Sequence, residues 1–378
     1  MNRAITPDAF PWFDYSRYSF SLGLEVGEAV LLSGHSASEY DPLERKIVVR
    51  GAMSEQVGTA YEKIGVILDA AGRSFDDVDH VVEYVTKNGI DTYGDVCSVR
   101  ESIFGDRSVP VSTVVVESLL REDALIEVEI VASPPGGQEA NDGLVYLPTV
   151  YPIRDGQIAA VGDIVGQTEQ IYKNARNTLE KLGLSMGNVV KTTEMIRANA
   201  VVDYRPTWEI RAEYLAPLYP GAVGIVQERV AANDDILISV DFVASIFDKT
   251  VVNPGWSFYE NLTYSPGIRA GNVLFMSGQA ALDPETGEAV HVGDIAAQAE
   301  YTYRNVIAVL QAAGLSERDL VRTVEFVSPK GLPKYRETAM VRKKLLPKPY
   351  PASTGVLCHS LLRPQFEIEV DPLAYFEN

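Results

Sequence analysis

The chain has 378 residues, 46% hydrophobic and 22% charged, with a formal charge of −19. That length exceeds one ordinary core and suits two or three domains, and the charge disfavours nucleic acid and anionic membranes, whose phosphates it would repel. Only Cys97 and Cys358 are present, apolar runs are strand-sized, and Met1 to Phe13 shows no signal pattern, so no disulfide framework, no membrane span and a cytoplasmic location are expected.

The elements fall into a repeating order. An aromatic arm, Phe10 to Phe20, precedes a hairpin expected over Val30 to Val49. Gly51 then leads into an amphipathic helix from Met53 that a glycine closes at Gly72, with Gln56 and Tyr61 on it. A β-rich stretch, Val78 to Val85, carries Glu83. Tyr93 and Arg100 follow on a second helix, then Pro110, then alternating strands ending in Ala124 to Val131. Pro134-Pro135-Gly136-Gly137 opens a polar linker to Gly143.

The same order returns twice. A hairpin over Val145 to Ala160 precedes Gly162, the helix Ile164 to Gly183 with Gln167 and Tyr172, and the strand Val189 to Ile196 with Glu194. Tyr204, Arg211 and Pro220 complete it. Asp248 to Gly255 reads as a second linker, followed by an aromatic arm, Trp256 to Tyr264. A hairpin over Val273 to Val292 turns at Asp283-Pro284-Glu285-Thr286-Gly287. Gly293, the helix Ile295 to Gly314 with Gln298 and Tyr303, the strand Leu320 to Val327 with Glu325, then Tyr335, Arg342 and Pro351 close the series, before the strand Phe366 to Val370. From leading glycine to arginine the offset is 49 in all three copies (51 to 100, 162 to 211, 293 to 342). A gap-free register of that length, held three times, implies triplication of a β-β-α-β-α-β-β unit. The domains expected are 1–133, 134–247 and 248–378, the middle one degenerate.

The stretch Leu274-Phe275-Met276-Ser277-Gly278-Gln279 resembles the "SGQ" strand of the RidA (YjgF) family of enamine/imine deaminases. Asp283-Pro284, Gly293-Asp294-Ile295 with Gln298, Pro351-Ala352-Ser353-Thr354 and Glu367-Ile368-Glu369 extend the likeness. The first copy matches through Ser33-Gly34-His35, Pro110-Val111-Ser112-Thr113 and Glu127-Val128-Glu129. In the second, Pro148-Thr149-Val150 and Pro220-Gly221-Ala222 depart from the pattern. The resemblance implies an α+β, chorismate-mutase-like fold and an intramolecular pseudo-trimer around a central β-barrel, with ligand clefts between units. It also exposes a departure: Ser112, Ala222 and Ser353 stand where the family's substrate-clamping arginine would be.

Imine hydrolysis needs a carboxylate anchor, a positioned water and a proton shuttle. Arg100, Arg211 and Arg342 are candidate anchors, because a guanidinium meets a carboxylate bidentately. Each lies 17 residues after Glu83, Glu194 or Glu325, so a structural ion pair explains them equally. By family position Glu127 and Glu367 are candidate water-activating acids, with Ser239 in the second copy. Glu83, Glu325 and His35 are further proton-transfer candidates, the histidine weighed against a structural role. Ser353, Thr354, Ser112, Thr113, Ser277, Gln279 and Tyr264 are candidate substrate contacts. The histidines lack metal-ligand spacing and the glycines form neither a dinucleotide fingerprint nor a P-loop, so a cofactor-free, metal-free site is expected.

The leading expectation is a deaminase converting an enamine or imine carboxylic acid to a keto acid and ammonia. By analogy within the family its substrate would resemble 2-aminomuconate or a chlorinated analogue from aromatic degradation. The alternatives are a small-carboxylate-binding or regulatory protein without catalysis, and a ring-opening amidohydrolase, disfavoured because no serine–lysine pair recurs. The partner expected is a small-molecule carboxylate, with further homo-oligomerisation of the pseudo-trimer open. Clefts combining copies one and three are expected to be the working ones.

Overall fold

The computed structural model describes residues 2–133 and 143–376; the linker expected from Pro134 lies outside them except for Gly143. Six α-helices organise the described residues: α1 (Met53–Ala70), α2 (Gly94–Phe104), α3 (Ile164–Lys181), α4 (Trp208–Leu215), α5 (Ile295–Ala312) and α6 (Thr338–Leu345). The long ones, α1, α3 and α5, bury one stripe each, as Val57, Ile64, Ile67 and Leu68 do on α1. They stop where Gly72, Gly183 and Gly314 turn into the left-handed region at φ +66°, +75° and +76°, which a side chain would strain.

Each long helix packs on one of three similar sheets. Val78–Thr86 lies between a parallel partner, Val111–Val116, and an antiparallel one, Ile126–Ala132. Val189–Arg197 has the same neighbours in Gly221–Gln227 and Ile238–Ser245, and Leu320–Val327 in Ala352–Leu357 and Ile368–Tyr375. A parallel pair needs a crossover, which α2, α4 and α6 supply. The fold is therefore α+β with repeated βαβ units.

The outer hairpins differ from the expectation. They start earlier, as Gly23–Val26 with Ala29–Leu32 and Gly267–Ala270 with Val273–Met276. Glu39–Asp41 and Lys46–Val48 form a separate small ladder. The turn at Asp283 forms as read, with Asp283 N donating to Glu288 O at 2.9 Å. In the second unit Leu144–Tyr146 joins the sheet, and the expected hairpin shrinks to Ile153–Arg154 against Gln157–Ile158. The second linker is partly strand: Lys249–Val252 pairs with Gly267–Ala270, as its β-branched run Thr250-Val251-Val252 favours.

The expected central barrel is not seen among the described residues. The sheets stay separate main bodies, stitched where Leu119 of the first unit pairs with Val356 of the third, and Leu361 of the third with Ile225 of the second. Their inner faces meet around a polar interior. His80, Lys191 and Arg322 occupy one position in their strands, two residues after Val78, Val189 and Leu320. Arg322 reaches Glu129 of the first unit at 2.6 Å, and Lys191 reaches Asp371 of the third. His80 instead contacts Ser112 at 3.1 Å and stacks on Tyr146. No helix among the described residues is long and apolar enough to cross a membrane.

Candidate active site

The residues held in register through the repeat are those that tie each unit together. Gln56, Gln167 and Gln298 brace the loop before the terminal strand: each accepts from a backbone N–H (Leu125, Leu237, Glu367; 2.8, 2.8 and 2.7 Å) and donates to a carbonyl two residues earlier. Glu83, Glu194 and Glu325 are buried, each accepting from two tyrosines and an arginine. In the third unit Tyr303 and Tyr335 donate at 2.5 Å each and Arg342 at 2.6 and 2.7 Å. Tyr61, Tyr93 and Arg100 repeat this around Glu83, and Tyr172, Tyr204 and Arg211 around Glu194. Removing one member would strand a buried charge, at roughly 3–5 kcal/mol. Glu83 and Glu325 are therefore corrected from proton shuttles to structural hydrogen-bond acceptors. Arg100, Arg211 and Arg342 are corrected from free carboxylate anchors to their partners.

Three seams join the units, the first two through the serine that precedes a glycine and the third through a threonine. Ser33 Oγ accepts from Ser353 N, Ser277 Oγ from Ala222 N, and Thr149 Oγ1 from Thr113 N (2.8, 2.9 and 2.7 Å). Thr354 is likewise absorbed, its Oγ1 accepting from Gly34 N at 2.8 Å and donating to Glu129. Ser112 and Thr113 bond His80 and Tyr93. Ser277, Thr354, Ser112 and Thr113 are thus seam residues rather than open substrate contacts.

Two seams open into clefts. The first, between units one and three, has a cavity volume of about 930 Å³ and includes Gly34, His35, Glu127 and Arg121 facing Ser353, Tyr335 and Arg342. The second, between units three and two, holds about 190 Å³ and includes Gly278, Gln279, Glu369 and Arg363 facing Ala222, Tyr204 and Arg211. The aromatic arms wall these clefts, Phe13 to Phe20 in the first and Trp256 to Tyr264 in the second, so Tyr264 does line a cleft.

Strand pairing identifies the acid. Glu127 pairs with Tyr84, Ser239 with Met195 and Glu369 with Phe326, each partner six residues into its strand. The counterpart of Glu127 is therefore Glu369. Glu367, outside the cleft lining and before the paired strand, is corrected as the candidate. Both cleft glutamates press on the glycine of their Ser-Gly pair: a Cβ at Gly34 or Gly278 would collide with the carboxylate oxygen. Burial, and next the charge of Glu129, push Glu127 up to about 8; burial and Asp371 do the same to Glu369. Near neutrality each is a carboxylic acid able to give a proton.

His35 does not share that ability. Its Nε2–H donates to Leu22 O at 3.1 Å, and burial pushes its pKa down to about 3, so it is a neutral wall. Lys63, at about 7, donates to Ser36 O and Ser38 O. Asn174 and Asn305 make the equivalent two-carbonyl clasps, so this lysine is structural as well.

Arg121 was not among the sequence candidates. Its guanidinium makes no hydrogen bond or ion pair among the described residues, lines the large cleft and favours the charged form of Glu127. The available signal was a repeated Leu-Leu-Arg, Leu119-Leu120-Arg121 and Leu361-Leu362-Arg363, six residues before each cleft glutamate. Arg363 is more engaged, donating to Gly287 O at 2.6 Å and lying over Phe258.

The third seam, between units two and one, carries Thr149 where the others have Gly34 and Gly278, since Val150 bridges Val240 as His35 and Gln279 pair with Val128 and Val370. It has buried Ser239 where they have glutamate. The threonine and the lost carboxylate are complementary changes: Thr149 has a Cβ at the position where the other seams press an acid on glycine, and its Oγ1 donates to Asp241 at 2.6 Å. Elsewhere, Glu117, Glu228 and His359 bring ligand atoms within 4.8 Å, but Lys87 already bridges the two carboxylates.

Fold and clefts together define a protein of linked α+β units with acid-bearing clefts between them. The chain belongs to the endoribonuclease L-PSP family, the RidA-type proteins, whose family model matches residues 14–133 and 258–376. It is 35% identical over 114 residues to a RutC family protein of Pyrococcus horikoshii, covering 30% of this chain and 87% of that one. It is 44% identical over 64 residues to the 2-iminobutanoate/2-iminopropanoate deaminase of Escherichia coli, covering 17% of this chain and 48% of the enzyme. A crystal structure of chorismatase superimposes with a TM-score of 0.53 at 16% identity, covering 79% of this chain and 93% of that one, a likeness of fold.

Proposed function

We propose that the protein is a hydrolytic deaminase acting in the cleft between units one and three on an enamine or imine carboxylic acid, best represented by a 2-aminomuconate-like dicarboxylate. The same reading divides the chain into units at 1–133, 134–247 and 248–378.

The observation that carries it is charge. In a chain of net charge −19, this cleft is lined by Arg17, Lys46, Arg121 and Arg336, besides Arg342 already bound to Glu325, against one lining carboxyl group, Glu127. Arg121, the unengaged inner cation, would hold the substrate carboxylate in place of the family's missing clamp. Neutral Glu127 would give its proton to the enamine carbon or imine nitrogen. Water then adds to the substituted carbon, the hydroxyl proton of the adduct passes to the amino nitrogen, the C–N bond breaks, and ammonia leaves as the keto acid forms. Glu127, left as carboxylate, takes the proton of the attacking water. Ser353, half-buried and bonded to Thr323 at 3.1 Å, is available to orient that water. The Escherichia coli relative, named for deamination of two imino acids, supports the reaction class.

The test is ammonia release with loss of ultraviolet absorbance on freshly generated 2-aminomuconate and on 2-aminoacrylate. Faster hydrolysis of the muconate than its spontaneous background supports the reading. Tight dicarboxylate binding without turnover would identify a binding protein instead.

A further inference from the structure

We propose that the rim of the large cleft is a second anion subsite, built by Arg17, Lys46 and Arg336, which binds a charged group at the far end of the substrate from the reacting carbon. The inference rests on the reading of this cleft as the substrate site and adds to it a substrate longer than a small imino acid.

A gradient of exposure runs through the cleft. Glu127 and Arg121 are only partly accessible and Arg342 is buried against Glu325, whereas the side chains of Arg17 and Lys46 are 81% and 64% exposed, and Arg336 is exposed too. The rim cations come from three separate places: the turn Tyr15–Arg17 of the arm, the strand Lys46–Val48, and the turn Leu332–Glu337 of the third unit. Chain segments so far apart converge on one opening. Their partners leave them available: Arg17 meets Asp14 at 2.9 Å and Lys46 meets Glu44 at 2.8 Å, both exposed pairs of the kind that bind weakly, and Arg336 has no ion-pair partner among the described residues.

The neighbouring cleft supplies the contrast. Its arm offers Trp256, Phe258 and Tyr259 at the corresponding wall, and no lysine or arginine stands between residues 256 and 264. Its volume is about 190 Å³ against about 930 Å³. The larger figure lies near the top of the range, roughly 300–1,000 Å³, that encloses drug-sized ligands. A substrate with an anion at each end and an apolar body between, lying along Phe13, Tyr18 and Phe20, uses the floor, the walls and the rim together.

Binding of inert acids separates this subsite from the chemistry. Straight-chain diacids from succinate to sebacate, and monoacids of matching length, would be titrated calorimetrically into the full chain. The expected result is a diacid advantage that is small for short chains and reaches about tenfold for long ones, the order two exposed ion pairs supply. The double variant Arg17→Gln/Arg336→Gln, whose melting temperature reports its folding, should erase that advantage and change monoacid affinity by less than about twofold. A diacid advantage absent at every length, one that survives the double variant, or no binding of any acid at millimolar concentration overturns the subsite. Turnover of 2-aminomuconate is measured on the same samples. Its absence with the diacid advantage intact defeats the deaminase reading alone, and the converse defeats the subsite alone.

Discussion

The clefts on either side of the third unit share one plan and differ in what was laid over it. Each has a serine–glycine turn, a glutamate pressed on the glycine, a Leu-Leu-Arg run, and a buried Glu–Tyr–Tyr–Arg group behind the wall. In the first cleft the arm and rim add cations and space. In the second they add aromatic rings that narrow it. The third seam shows the limit of that divergence, where Thr149 and Ser239 remove glycine and acid together. A repeat inside one chain frees each cleft to vary, provided that the groups holding each unit stay fixed.

The largest effect should separate the two glutamates. Glu127→Gln keeps the shape and removes the proton, so turnover should fall by about 10²–10⁴-fold, the usual range for a positioned acid or base. Glu369→Gln should change it by less than about twofold if only the first cleft works. Steady-state kinetics on 2-aminomuconate reads both, and equal losses would erase the functional distinction between the clefts.

The next effect should be equal on both sides. Arg342→Met and Arg211→Met each strand a buried glutamate, and each should destabilise the fold by roughly 3–5 kcal/mol in denaturant unfolding. A change below about 1 kcal/mol would mean that these arginines are free for substrate after all.

That prediction bears on what a sequence can reveal. Its gap-free register displays Gln56, Tyr61, Glu83, Tyr93 and Arg100 with their counterparts, because every unit needs them to fold. Conservation inside a repeat thus points to architecture, and the three long helices and Glu-bearing strands are legible for the same reason. The catalytic candidates are harder to read because they differ from unit to unit. Glu367 and Glu369 lie two apart on one face of an alternating strand, and only pairing with Phe326 rather than the flanking residues decides between them. Arg121 has a counterpart in only one other unit, which hides it from a three-fold comparison. The polar interior was equally hidden, since the pairing of Arg322 with Glu129 spans 193 residues of chain.

A smaller effect should sharpen the role of that arginine. Arg121→Gln should raise KM for the muconate by about tenfold, the order of one charge-assisted hydrogen bond, with a lesser change in kcat. Arg363→Gln, in the other cleft, should leave both constants within about twofold of the parent. A fall in kcat with KM unchanged would place Arg121 in the proton-transfer step through Glu127 instead.

The smallest effect reaches both clefts and depends on pH. A glutamate in the unfolded chain titrates near 4.3. Glu127 and Glu369 are held at about 8 by burial and by neighbouring carboxylates. Between those values the folded protein binds more protons than the unfolded chain, so their contribution to stability is full at low pH and is lost as pH rises toward 8. Glutamine does not titrate. Glu127→Gln and Glu369→Gln should therefore match the parent in melting temperature near pH 4 and exceed it near pH 8, by similar amounts. A gain for one variant and none for the other would show that a single cleft holds its acid protonated. That cleft should then be the one in which turnover is lost on the same substitution, so stability and kinetics test the comparison independently.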